Sequence, residues 1–144
     1  MSAVYRFWAS LMALAVVVQI GLVGVGAFHA AKLSDKHKTI TDDTFGSWFA
    51  PHIALGYLLV PAALILVLLS LFARGGRIKW SLIAFGLFIV QVLLAWLAYG
   101  VPALGFLHPI NALLILGTMG WIAHREWRRP SQPPAPPAPP APAV

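Results

Sequence analysis

Two imidazoles and two amides interrupt a sequence that is otherwise largely apolar. His52 sits in "FAPHIALGYLL" and His108 in "HPINALLIL", while Gln19 lies in "VVVQIGLVGVGAF" and Gln91 in "FIVQVLLAWLAYG". A titratable or hydrogen-bonding side chain among hydrocarbon costs free energy unless it has a partner or a function. Histidine offers a neutral ring nitrogen that can bind a metal, and a ring that both donates and accepts hydrogen bonds. Glutamine offers an amide that can clamp one helix to another. The order Gln, His, Gln, His reads as two tandem hairpins, each with a mid-membrane Gln on its first helix and a His at the outer end of its second.

The elements that must position these groups follow from composition. Of the 144 residues, 60% are hydrophobic and only 10% charged, and mean hydropathy is +0.82. A soluble domain carries roughly 25% charged residues. Four apolar segments, approximately 7–31, 48–73, 80–100 and 103–123, are each long enough to cross a hydrocarbon core about 30 Å thick. The first is too long for the apolar region of a signal peptide and is read as a span. The sequence therefore predicts an all-α fold: a single four-helix transmembrane bundle, up-down-up-down, over 1–129. The remainder, 130–144, "PSQPPAPPAPPAPAV", is expected to be a disordered, Pro/Ala-rich cytoplasmic tail.

The formal net charge of +6 is topological and does not indicate a nucleic-acid partner. Arg6, Arg74, Arg77, Lys79, Arg125, Arg128 and Arg129 fall on one side of the spans. On the other, Lys32, Lys36 and Lys38 are offset by Asp35, Asp42 and Asp43. The positive-inside rule then places both termini in the cytoplasm and the protein in the plasma membrane, with the lipid bilayer as its main partner. Trp8, Trp48, Trp80, Trp121 and Trp127 lie near the predicted interfaces, as aromatic belts do. The absence of cysteine excludes thiolate ligands and cysteine nucleophiles. No acidic residue is expected inside a span, and no nucleophile stands beside a base, which argues against an enzyme and against a proton or ion pathway.

On this topology His52 and His108 lie about one turn inside the outer boundary, on diagonal helices that run in the same direction. Gly56 shares the helical stripe of His52, and Ala112 that of His108. Gly26 and Ala98, seven residues and about 10 Å beyond the two glutamines, are expected near the histidine level. These small residues would line a slot in which the two imidazoles hold one b-type haem near the outer leaflet as axial ligands. His29 and Lys32 would meet the propionates, and Asn111 would orient the His108 ring or bond a neighbouring helix. Electron transfer by a single haem requires a redox partner protein or a quinone. The same residues admit a cofactor-free structural or accessory subunit, with His52 and His108 in hydrogen bonds and Gln19 and Gln91 as interhelical clamps. A third reading is a small-molecule or lipid binder using the slot. His37 is read as solvated, with a metal group from His37, Asp42 and Asp43 as the alternative.

The runs "FAPHIALGYLL" and "PALGFLHPINALLIL", with the Gln of each odd helix, resemble a group of small bacterial four-helix integral membrane proteins of unknown function. That resemblance covers nearly everything except the tail; it implies a fold and no activity. More distantly, a hairpin pair with histidines at the outer ends of helices two and four is similar to one four-helix half of haem A synthase. This second resemblance implies that His52 and His108 are axial haem ligands. The chain has one four-helix unit where that enzyme has two, and no acidic residue to match its catalytic carboxylate. It therefore implies haem binding without haem modification.

Overall fold

The computed structural model describes residues 2–73 and 76–129; Arg74 and the tail expected at 130–144 lie outside the described residues. The fold is an all-α four-helix bundle. Its helices are α1 (Ser2–Asp35), α2 (Asp42–Phe72), α3 (Arg77–Gly100) and α4 (Leu107–Trp127), with a 3₁₀ segment (Pro102–Phe106) between α3 and α4. All four are long and apolar enough to cross a membrane, and the chain is an integral membrane protein. Large apolar side chains such as Leu58, Phe28 and Leu113 are exposed on the outer faces, where lipid rather than water solvates them.

The helices overrun the predicted spans because hydropathy marks only the part that crosses hydrocarbon, whereas backbone hydrogen bonding continues into the interface. α1 has 34 residues, about 51 Å at 1.5 Å per residue. α2 starts six residues earlier than the predicted span at 48. Thr41 caps it, its hydroxyl accepting from the Thr44 N–H, and Asp42 and Asp43 complement the helix dipole in the first turn. The expected outer loop thus shrinks to a tight turn. His37 (φ 52°) occupies the left-handed position that ends α1, where the N–H groups of Lys38 and His37 donate to Leu33 O and Ser34 O. His37 is therefore a backbone cap. It forms no three-ligand group with Asp42 and Asp43 among the described residues, which removes that candidate metal site.

α1 packs beside α2 and α4, and α3 packs beside α2 and α4, so α2 and α4 stand on a diagonal. Side-chain links between α1 and α2 pair Gln19 with His52 and Trp8 with Ala62, and those between α3 and α4 pair Gln91 with His108 and Arg77 with Glu126. Both sets run antiparallel. Ala9, Ala63 and Ala84 are fully buried and let the backbones approach, with Met12, Leu66, Phe88, Ile115 and Met119 filling the space between. Every residue of this core lies between the chain-terminal end of the bundle and the level of Gln19 and Gln91.

A polar cluster closes that end. Glu126 accepts from Arg77 Nε at 2.8 Å and pairs with Arg77 Nη2 at 2.7 Å and Arg129 Nε at 3.2 Å. Ser81 donates to Arg77 O at 3.1 Å and is therefore the acceptor from Tyr5 Oη at 2.9 Å. Glu126 lies outside the predicted span at 103–123, yet it is not an open interfacial charge. α4 continues past residue 123 to Trp127, and Glu126 is buried because two guanidinium groups neutralise it.

Candidate functional site

His52, on α2, and His108, in the first turn of α4, bring their rings together across the bundle axis. The ring centres are 6.3 Å apart and the planes cross at 68°. Each ring is anchored in the same way. His52 Nδ1 donates to the Gln19 carbonyl at 3.3 Å, and His108 Nδ1 donates to the Gln91 carbonyl at 3.1 Å. A carbonyl can only accept, so both Nδ1 atoms carry the proton and both Nε2 atoms present a lone pair. The two halves of the sequence repeat thus build one local motif twice.

Beyond that shared anchor the halves differ. In the second, the Gln91 amide donates to His108 Nε2 at 2.9 Å, while Gln91 Oε1 accepts from Asn111 Nδ2 at 2.7 Å. Asn111 also donates to Leu87 O at 2.9 Å, so it ties α4 to α3 and orients the glutamine, which in turn holds the ring. In the first half, the Gln19 amide donates instead to His52 O at 2.9 Å, and Gln19 Oε1 is buried with no partner among the described residues. The residue three beyond His52, matching Asn111, is Leu55. Both glutamines act as interhelical clamps, each through a different set of bonds.

The histidines sit deeper than expected. Hydrogen bonding to Gln19 and Gln91 places them at the level of the glutamines, midway along α1, not a turn inside the outer boundary. Two local causes account for this. The early start of α2 puts His52 ten residues inside its helix. The 3₁₀ segment packs back against α3, with Gly105 against Ala98, and returns the chain to mid-depth before α4 begins.

This depth reassigns the small residues. Gly26 and Ala98 lie about 10 Å above the layer. A Cβ on Gly26 would come within 2.8 Å of the Phe49 ring, so this glycine lets α1 and α2 close around Phe49. A Cβ on Gly56 would stand 3.0 Å from Gln19 Nε2, so Gly56 clears room for the clamp. Ala112 is half-buried beside Asn111.

His29 and Lys32 are about 15 and 20 Å farther along α1 than Gln19. With Phe28 they line a separate open cleft of about 170 Å³, where His29 bonds Val25 O and packs on Trp48 with ring centres 5.2 Å apart. That distance separates them from the histidine layer.

Asn111 bonds a neighbouring helix, α3, as expected, whereas the Arg77–Glu126 pair is the feature that sequence reasoning missed. That pair had a usable signal. An antiparallel α3–α4 hairpin brings the start of one helix beside the end of the other, and Glu126 is the one acidic residue among the cations of these two ends. Comparison with family models, with curated proteins and with solved structures yields no match to this chain.

Proposed function

We propose that this membrane protein holds one b-type haem at the middle of its bundle through His52 and His108, and serves electron transfer or haem handling. The observation that supports the reading is the adjacent imidazole pair, 6.3 Å between ring centres, with each Nδ1–H fixed to a helix carbonyl. Metal-binding histidines use this second bond to set tautomer and ring orientation. Two imidazoles on opposite sides of one ion, each about 2 Å from it, have ring centres about 6 Å apart.

The donor count narrows the choice of metal group. No three His, Cys, Asp or Glu side chains converge among the described residues. A bare ion would find two protein ligands where structural sites use about four. Haem needs only two, because the macrocycle supplies the rest. The close-packed core lies wholly on the terminal side of the layer, so a flat apolar group can be received from the other side without disturbing it.

When bound, haem supplies one-electron chemistry. His52 and His108 hold the iron, the carbonyls of Gln19 and Gln91 set the rings, and the surrounding apolar helices exclude water. A single haem at mid-depth needs a partner protein or a quinone to pass electrons to either surface. The charge pattern supports cytoplasmic termini in a plasma membrane: Arg6, Arg77, Lys79, Arg125, Arg128 and Arg129 gather at the terminal end, while cations and acids balance at the other.

A second reading, a cofactor-free accessory subunit, draws on one specific observation: both ring nitrogens of His108 are already satisfied by Gln91. Haem titration of the detergent-purified protein separates the two. The haem reading expects sharp low-spin bands in the reduced-minus-oxidised spectrum of the wild type that are absent from His52→Ala and His108→Ala. A wild type that takes up no haem refutes it.

A further inference from the structure

Arg6 is positioned by aromatic rings at the chain-terminal end of the bundle, yet no carboxylate pairs with it among the described residues. Those residues place Arg6, Arg77, Lys79, Arg125, Arg128 and Arg129 at that end against one acid, Glu126, which Arg77 and Arg129 already occupy. The guanidinium carbon of Arg6 lies between α1 and α4, 4.2 Å from the centre of the Trp127 ring and 5.5 Å from that of Phe7. The two rings meet edge to face, 5.2 Å apart at 88°, and Trp127 Nε1 donates to Ser10 Oγ at 2.9 Å, which fixes the indole against α1. Aromatic faces attract a cation and orient its plane, but they carry no anionic oxygen to pair it. Arg6 Nε is buried with no hydrogen-bond partner among the described residues. The bundle thus holds a guanidinium whose charge and hydrogen bonds it does not itself satisfy.

The surface below Arg6 is apolar. Phe7, Leu11 and Leu14, spaced i, i+4 and i+7, form one exposed stripe on α1. Leu11 and Leu14 lie about 6 and 10 Å farther along the helix than Phe7, toward the bilayer centre.

We propose that this α1–α4 groove is a binding site for an anionic phospholipid, with its phosphate on Arg6 and an acyl chain along Phe7, Leu11 and Leu14. The inference goes beyond the haem reading and does not depend on it. A phosphate diester supplies both the negative charge and the acceptor oxygens that Arg6 lacks, and the guanidinium fork matches two of those oxygens at once. Trp127 and Arg6 stand at the ends of spanning helices, the level of the headgroups, so a chain attached to that phosphate points down the stripe. Basic grooves between membrane helices hold anionic headgroups in this way. A choline headgroup carries the same phosphate but adds a cation, which the surplus of cations at this end repels.

The test uses the full chain in a mild detergent and counts bound lipid per chain by native mass spectrometry. Its probes are dioleoyl phosphatidylglycerol, dioleoyl phosphatidylcholine and inorganic phosphate. Phosphatidylglycerol should bind about fivefold more tightly than phosphatidylcholine, the effect of one unit of charge at a membrane surface. Arg6→Gln should weaken its binding by about tenfold or more, through loss of both the charge and the paired bonds. Arg6→Lys keeps the charge without the fork and should fall between the two. Trp127→Leu keeps every cation but removes the ring that places Arg6, and should weaken binding about two- to fivefold. Lys79→Gln is the control: Lys79 is exposed and lies two residues from Arg77, which faces Tyr5 and Glu126, so it points away from α1. Its loss should leave binding within about twofold, since salt screens an exposed charge beyond about 10 Å. Equal weakening by Arg6→Gln and Lys79→Gln, or equal affinity for the two lipids, overturns the site. Displacement of phosphatidylglycerol by an equal concentration of inorganic phosphate makes the groove a free-phosphate site and overturns the lipid assignment.

Discussion

Replacing Arg77 with methionine tests whether the terminal polar cluster locks the bundle. Arg77 and Glu126 are 8% and 4% exposed at their side chains and meet at 2.7 Å. Removing one partner of a buried pair strands the other charge and costs about 3–5 kcal/mol. Here Arg129 remains, 3.2 Å from the other carboxylate oxygen and 27% exposed, so the loss should fall at the lower end, about 3 kcal/mol. Arg77→Met combined with Glu126→Leu removes both buried charges and should return to within about 1 kcal/mol of the wild type, because a well-packed apolar pair replaces an ion pair at little cost. The double variant should then be about 2–3 kcal/mol more stable than Arg77→Met. Reversible unfolding in mixed detergent, followed by circular dichroism, provides the free energies. A single variant within 1 kcal/mol of the wild type, or a double variant less stable than Arg77→Met, would refute the reasoning.

Three further substitutions probe the layer and the outer packing. Asn111→Leu removes bonds to Gln91 Oε1 and Leu87 O and leaves a half-buried acceptor unpaired, so the same unfolding assay should show a loss of about 1 kcal/mol. Gln19→Leu should cost less than about 1 kcal/mol: it forfeits one interhelical bond of modest worth in a membrane but also removes the orphan Oε1. In Gly26→Ala the new methyl meets Phe49 at 2.8 Å; overpacking of this kind costs about 1–3 kcal/mol. Phe49→Leu in the same chain should recover part of that loss, and failure to do so would place the strain elsewhere.

Four long apolar stretches determined the helix number, the membrane setting and the recurrence of one Gln and one His in each half. These properties depend on composition and on the rise per residue, which are local. The ends of the helices were less legible. Thr41 and the acidic first turn extend α2 outward, and the 3₁₀ segment carries the chain back down along α3, so the histidines arrive at mid-depth and not near the surface.

Tertiary structure alone decided which partners the polar atoms chose. Gln19 and Gln91 occupy matching positions in the repeat, yet one amide bonds a backbone carbonyl and the other an imidazole nitrogen, because Asn111 and Leu55 differ on the facing helices. Glu126 had no assigned partner in the sequence, and the antiparallel packing of α3 and α4 brought Arg77 against it. A sequence sets which groups seek hydrogen bonds at a given depth. The satisfaction of each bond depends on residues up to a whole hairpin away, and only the packed bundle brings those residues within reach.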